Sequence, residues 1–253
     1  MEARGCVRAG RIRIASYNIH GGLGCDGHVV PKRIARVIAE MDADVIALQE
    51  VESKATGFDM LGYLSNETGM EGIAGPTLLK ATGDYGNGML TRFRPVNVRR
   101  LDLSVDSHEP RGALDVELDC AGWPLRVLAT HFGLFPDERR RQTRLLLREL
   151  EDQRPVATVL MGDLNEWWLW GRPLRWLHAH FQETPSPATF PSRFPCFALD
   201  RIWIKPRRLL ARLAVHRTPL ARIASDHLPV TAEIECGPVA AEEIDSRLHL
   251  AAQ

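Results

Sequence analysis

Ser225-Asp226-His227-Leu228-Pro229-Val230, near the carboxyl end, and Gly162-Asp163-Leu164-Asn165, upstream, decide the reading of this chain. Each adjoins a short apolar run of strand length, so each sets an Asp beside a second polar group at a strand end. Carboxylates fix hard divalent cations, amides orient phosphate and water, and imidazole moves protons or meets developing negative charge. Together these groups suit the hydrolysis of phosphate esters.

Polar groups recur at the ends of other strand-like segments. Ser16-Tyr17-Asn18-Ile19-His20-Gly21 closes an alternating stretch over residues 11–18, and Leu48-Gln49-Glu50-Val51 closes an apolar run over 44–49. Between them Pro31 opens a helical pattern with Ile34, Val37, Ile38 and Met41 on one face, giving a strand, helix, strand unit. Gly86-Asn87-Gly88-Met89-Leu90 opens another segment, Thr130-His131-Phe132-Gly133 closes a later one, and Leu199-Asp200-Arg201-Ile202 precedes the final Asp-His. Strands are expected at 88–91, 113–118, 125–130, 156–161, 199–205 and 228–234. A helix is expected over 137–150, packed through Leu145, Leu146 and Leu150 with its Arg-rich turns in water. Clusters of strands broken by a few helices predict a sheet-on-sheet α/β core with helices outside.

At 253 residues with no evident linker or repeat, the chain reads as a single catalytic domain over 11–236. Residues 1–10 form an extension, and 237–253 an Ala- and Glu-rich tail expected as a frayed or surface helix. Thirty-two basic side chains balance thirty-two acidic ones, so no global field draws the protein to a polyanion. Arg139, Arg140, Arg141 and Arg144 read as a solvated helix face, and Lys205, Arg207, Arg208 and Arg212 as a strand-to-loop surface. Cys6, Cys25, Cys120, Cys196 and Cys236 are dispersed without metal-ligand spacing, which reads as reduced thiols in a cytoplasmic protein. The start lacks the apolar run of a signal peptide, and no stretch approaches ~18 apolar residues, so no transmembrane segment is expected. Peripheral membrane contact stays open.

The ordered series of motifs, from residue 11 to about 235, resembles the endonuclease/exonuclease/phosphatase superfamily, the DNase I-like metal-dependent phosphodiesterases. The resemblance implies a four-layered α/β sandwich, two packed mixed β-sheets flanked by helices, with the site at one rim. It implies Mg²⁺, with Mn²⁺ an alternative, held by Glu50. It assigns Asn18 to the metal or phosphate network, Asp163 to the attacking water and Asn165 to the scissile phosphate. It pairs Asp200 with His227, which then meets charge on the transition state, and makes Asp226 a candidate metal contact. His131 falls where DNase I-type enzymes have a His and is a candidate to protonate the leaving oxygen. Asn87 fits a Gly-Asn-x-x-Leu element of the family and is a candidate for substrate binding. Thr189-Phe190-Pro191-Ser192 is expected to shape the substrate mouth.

Each residue also has a plainer reading. Glu50 could sit in a structural ion pair, Asp163 and Asn165 in turn chemistry, and His131 in a strand-end hydrogen bond. Arg111, in Glu109-Pro110-Arg111-Gly112, suits either a phosphate or a surface ion pair. His20 stands where the DNA-repair branch has a carboxylate or amide, which departs from that pattern and leaves His20 an open ligand. Trp167, Trp168 and Trp170, with Trp176 beyond, suit a lipid interface, an aglycone or a nucleobase; packing is the expectation for at least two of the four.

The function expected is metal-dependent hydrolysis of phosphodiesters or phosphomonoesters, on a phospholipid headgroup or small phosphorylated molecule. A nuclease of the same superfamily is the alternative, and a non-catalytic binding module the third reading.

Overall fold

Strand β1 (Arg11–Asn18) buries both faces: Ile12 and Ile14 lie between two sheets, while Ala15 and Tyr17 lie under helices. The computed structural model describes residues 10–54, 57–80, 83–105, 108–151 and 156–236; the expected tail and all but Gly10 of the expected extension lie outside them. After β1 come α1 (Pro31–Met41), β2 (Val45–Lys54), α2 (Met60–Thr68), β3 (Glu71–Lys80) and β4 (Gly83–Thr91). The second half holds β5 (Arg94–Asp102), β6 (Gly112–Cys120), β7 (Trp123–His131), α3 (Pro136–Leu150), β8 (Ala157–Asp163) and α4 (Arg172–Phe181). The chain then runs through β9 (Asp200–Lys205), β10 (Leu210–Val215), the short α5 (Ala221–Ala224) and β11 (Val230–Glu235).

One sheet has six strands in the order β10-β11-β1-β2-β4-β3, the other five in the order β5-β6-β7-β8-β9. Each contains a single parallel pair. β1 and β2 are joined through α1, and β7 and β8 through α3, because parallel neighbours need a crossover to return the chain. The carboxyl ends of each pair therefore open at one edge of their sheet.

Burial is arranged in layers. Ile14, Val45, Met89, Val116, Val127, Val159 and Ile204 fill the space between the sheets. Ile34, Val37 and Ile38 of α1 with Leu61 and Leu64 of α2 cover the outer face of the first sheet. Leu146 of α3 and Leu174, Leu177 and Phe181 of α4 cover Trp203 and the second sheet. This is the four-layered sandwich. Each fully buried Ile or Leu stabilises by about 1.5–3 kcal/mol, which leaves room for local backbone strain of about 1–3 kcal/mol per residue at the rim.

Helix α3 departs from the expected amphipathic pattern. Leu146 and Leu150 are buried and Leu145 only partly, whereas Arg139 is buried with Glu138, Gln142 and Thr143. The solvated reading of the basic cluster thus fails at Arg139, which has a carboxylate partner inside. It holds for Arg141 and Arg144, which are exposed. Among the described residues, no helix is long and apolar enough to cross a membrane.

Candidate active site

Sheet register sets the site. His131 of β7 pairs with Asp163 of β8, which pairs in turn with Asp200 of β9, so three motif residues stand in one row across the second sheet. Gly162 makes this possible: its φ is +154°, and a Cβ there would lie 1.9 Å from the Thr130 carbonyl oxygen. In the first sheet Asn18 pairs with Gln49. A bulge follows, because Leu48 faces Gly88 and Val51 faces Gly86, leaving Gln49 and Glu50 together opposite Asn87. Glu50 takes φ +57° there, and His20 and Asn165 take +48° and +49°. Three left-handed non-glycine residues at one rim are a concentration of strain of the sort that surrounding structure must enforce.

Asn18 ties the two sheets together. Its Nδ2 donates to Glu50 Oε1 at 2.9 Å and to Asp163 Oδ2 at 3.1 Å, while its Oδ1 accepts the His20 backbone N–H at 3.0 Å. The backbone donor fixes the amide orientation, so the amide bridges two carboxylates. Burial lifts the Glu50 carboxyl above the ordinary glutamate value; Asn18 and His20 pull it back, and the charges of Asp163 and Asp226 lift it again. Asp226 lies beside His20, with Oδ1 3.5 Å from Nδ1.

His227 sits on Asp200. Its Nδ1 lies 2.8 Å from Asp200 Oδ2, which also accepts the Thr189 hydroxyl at 2.6 Å. The Ser225 hydroxyl accepts the His227 backbone N–H at 3.2 Å and donates to the Asn18 carbonyl at 2.8 Å, joining this loop to β1. The Phe190 ring packs 4.8 Å from the imidazole. Burial alone would pull the imidazole pKa down, but Asp200, Asp163 and Asp226 outweigh it and push the value up to about 10. His227 is therefore a cation at neutral pH.

His131 is its opposite. Burial carries its pKa down to about 3; Asp163 opposes that shift, and Arg111 and His227 add to it. Arg111 Nη1 stands 3.1 Å from Nδ1 and Asn165 Nδ2 3.1 Å from Nε2. A neutral imidazole has one acceptor nitrogen and a guanidinium has only donors. Asn165 Nδ2 already donates to the Phe132 carbonyl at 2.9 Å. The amide NH2 keeps a second N–H for Nε2, so donors face both ring nitrogens, and Asp163 Oδ2 stands 3.6 Å from Nε2.

The remaining sequence candidates fall in the same region. Asn87 donates to the Gly112 carbonyl at 2.9 Å, and its Oδ1 is buried without a partner. Arg111 is buried, and it makes the expected ion pair, at 3.2 Å to the exposed Glu109 carboxylate. Tyr85, not singled out from the sequence, hydrogen-bonds to Arg111; burial, and then the Glu50 charge, raise its phenol far above the ordinary value. A register position opposite Glu52 carried no sequence signal for it.

The tryptophans divide two and two: Trp167 and Trp176 pack against neighbours, as expected, and Trp168 and Trp170 stand exposed. Trp168 and Trp170 are 60% and 69% exposed, with Leu169 between them at 61%, because the segment after Asn165 forms an extended turn and no helix. Trp167 is 38% exposed and meets Phe190 and Phe197 edge-on at 5.7 and 4.8 Å. Trp176 is partly buried under the Arg144 guanidinium.

A hard cation needs a cluster of oxygen donors. Asp163, Asp200 and His227 offer atoms within 4.8 Å of one another, but His227 Nδ1 is paired with Asp200 Oδ2 and a cationic imidazole has no lone pair for a metal, although Asp200 Oδ1 is buried without a partner. The oxygen-rich side lies around Glu50, where burial and two neighbouring carboxylates leave negative charge that a divalent cation would neutralise. The residues fit a hard cation on that side.

Known proteins resemble this chain over most of its length. Protein YbhP of Escherichia coli K12 is 28% identical over 247 residues, covering 88% of this chain and 95% of its own length. Among solved structures, an endonuclease/exonuclease/phosphatase protein of Beutenbergia cavernae superposes with TM-score 0.74 at 22% identity, covering 90% of this chain and 72% of that one. A mannosyl-6-phosphatase of Bacteroides thetaiotaomicron superposes with TM-score 0.69 at 19% identity, covering 87% and 98%. The model of the endonuclease/exonuclease/phosphatase family matches residues 15–227, so this chain belongs to that family.

Proposed function

We propose that this protein is a Mg²⁺- or Mn²⁺-dependent phosphoric ester hydrolase whose chemistry centres on Asp163. The observation that supports it most is the environment of that carboxylate. Oδ1 accepts the Asn165 backbone N–H at 2.9 Å, and Oδ2 is faced by Asn18 and by the two imidazoles. Asp163 would orient water and take its proton as the water oxygen attacks phosphorus and the ester P–O bond breaks. The His227 imidazolium would stabilise charge on the phosphoryl oxygens. Its neutral state suits His131 to donate a hydrogen bond to the phosphate with Asn165, and less to act as the acid for the leaving oxygen. Glu50 and Asp226 would hold the cation, braced by Asn18, with Arg111 and Asn87 lining the phosphate side. When bound, the cation would supply charge neutralisation at the phosphate.

The substrate read here is a small phosphate ester or a phospholipid headgroup. Balanced charge gives no general attraction to nucleic acid, and the exposed Trp168, Leu169 and Trp170 stand beside Asn165. Likeness in fold to a protein named mannosyl-6-phosphatase is in keeping with a small ester. A panel of sugar phosphates, phospholipid vesicles, inositol phosphates and plasmid DNA, assayed with Mg²⁺ and with chelator, tests this. Metal-dependent turnover of the first two classes is expected. Efficient, salt-sensitive DNA cleavage with inert small esters would make the nuclease reading the right one.

A further inference from the structure

Two buried charges take no part in that chemistry, yet they touch both loops that carry it. Arg139, in the first turn of α3, is 2% exposed and Glu166, next to Asn165, is 4% exposed. Arg139 Nε lies 3.2 Å from Glu166 Oε2 and Nη2 3.5 Å from Oε1, a side-on fork. The third guanidinium nitrogen, Nη1, donates to the Leu134 carbonyl at 2.6 Å, in the loop that follows His131. Glu166 Oε1 accepts the Trp168 backbone N–H at 3.3 Å. One turn along α3, Gln142 accepts the Gly133 N–H at 2.9 Å and donates to Glu138 at 3.0 Å. A Cβ on Gly133 would fall 1.8 Å from the Glu138 carboxyl carbon, so the loop lies flat on the helix.

A buried ion pair is a poor source of stability, because desolvation of both charges offsets their attraction, and apolar side chains of like volume often do as well. Its consequence here is positional. Asn165 sits in a left-handed conformation at φ +49° with its amide 2.9 Å from the Phe132 carbonyl and 3.1 Å from His131. A non-glycine residue stays there only when its neighbours are fixed on both sides. Asp163 holds the Asn165 N–H on one side, and Glu166 anchored on Arg139 holds the other.

We propose that the buried Arg139–Glu166 pair is a positioning device that locks the Asn165 amide and the His131 ring into one arrangement by tying their loops to α3. The proposal rests on the phosphate-ester reading for its kinetic arm only. Glu166→Gln and Arg139→Lys loosen the fork while keeping a hydrogen-bonding group. In both, kcat for bis(p-nitrophenyl) phosphate should fall about 10- to 100-fold with KM nearly unchanged. The Asn165 side-chain amide, assigned by NMR, should lose its hydrogen-bonded shift and exchange protection.

The decisive variant replaces both partners with apolar residues, Arg139→Met with Glu166→Leu. Melting temperature should recover towards wild type, since no unpaired charge is left buried, while kcat and the Asn165 signal stay impaired because the bonds to Leu134 and Trp168 are gone. Recovery of kcat together with melting temperature, or an Asn165 amide unmoved by any of the variants, would overturn the proposal. Wild-type protein inert towards every ester would count against the hydrolase reading instead, and the NMR arm would still decide the clamp.

Discussion

His131 and His227 face the same oxygen from two sides: Asp163 Oδ2 lies 3.6 Å from Nε2 of the first and 3.7 Å from Nε2 of the second. Their environments drive them to opposite charge states, one neutral beside Arg111 and one cationic on Asp200. Two imidazoles on one carboxylate thereby offer different chemistry.

The sign of the His227 shift fixes a stability experiment. Its folded pKa, about 10, lies above the ordinary 6.5, so its contribution is fully present below pH 6.5 and is lost as pH rises through about 10. In chelator, the melting-temperature deficit of His227→Gln relative to wild type should be largest near pH 6 and shrink towards pH 10. A deficit that grows with pH would contradict the cationic assignment.

Asp163→Asn should reduce kcat by about 10²–10⁴-fold with a much smaller change in KM, because the carboxylate is used as water attacks and only weakly in binding. Steady-state kinetics on a soluble ester gives both numbers. A variant with raised KM and intact kcat would make Asp163 a binding residue only.

His227→Ala should cost about 10²–10³-fold in kcat, and Asp200→Asn should act in the same direction but less severely. The two share the 2.8 Å hydrogen bond, so their double mutant should be little worse than His227→Ala alone. Multiplying effects would mean that the two act independently.

Much of this site was legible because strand ends announce it. Asn18, Glu50, His131, Asp163 and Asp200 each close or open an apolar run, and a sheet register that pairs His131 with Asp163 and Asp163 with Asp200 then makes neighbours of distant motifs. Strands β3, β5 and β10 were not expected. β3 carries Gly72, Gly75 and Pro76, and β5 is an edge strand with exposed or half-exposed residues along its length, so neither shows the apolar run that marks β8. Helix α4, which opens on Arg172 and Pro173, was not expected either. The burial of Arg139 was hidden for a different reason. Its partner Glu166 is 27 residues away and follows the Asp-x-Asn motif, where periodicity along α3 carries no information about it. The exposed tryptophans follow from a turn that composition alone does not distinguish from a short helix.

Trp168 and Trp170 are the most exposed indoles of the rim. Replacing both with Ala should depress hydrolysis of phospholipid in vesicles severalfold and leave a soluble p-nitrophenyl ester unaffected, since only the vesicle requires interfacial contact. Equal loss on both substrates would place these indoles in substrate binding or folding, away from any lipid surface.

If a hard cation on the Glu50 side enables Asp163-centred hydrolysis, metal titration of wild type and Glu50→Ala will show it. Wild type stripped with chelator should be inactive on bis(p-nitrophenyl) phosphate and regain turnover with added Mg²⁺ or Mn²⁺. Glu50→Ala, with an unchanged circular dichroism spectrum, should stay inactive or need far more metal. Full turnover in chelator, or an undiminished Glu50→Ala at the same metal concentration, would mean that no cation held by Glu50 takes part in the hydrolysis.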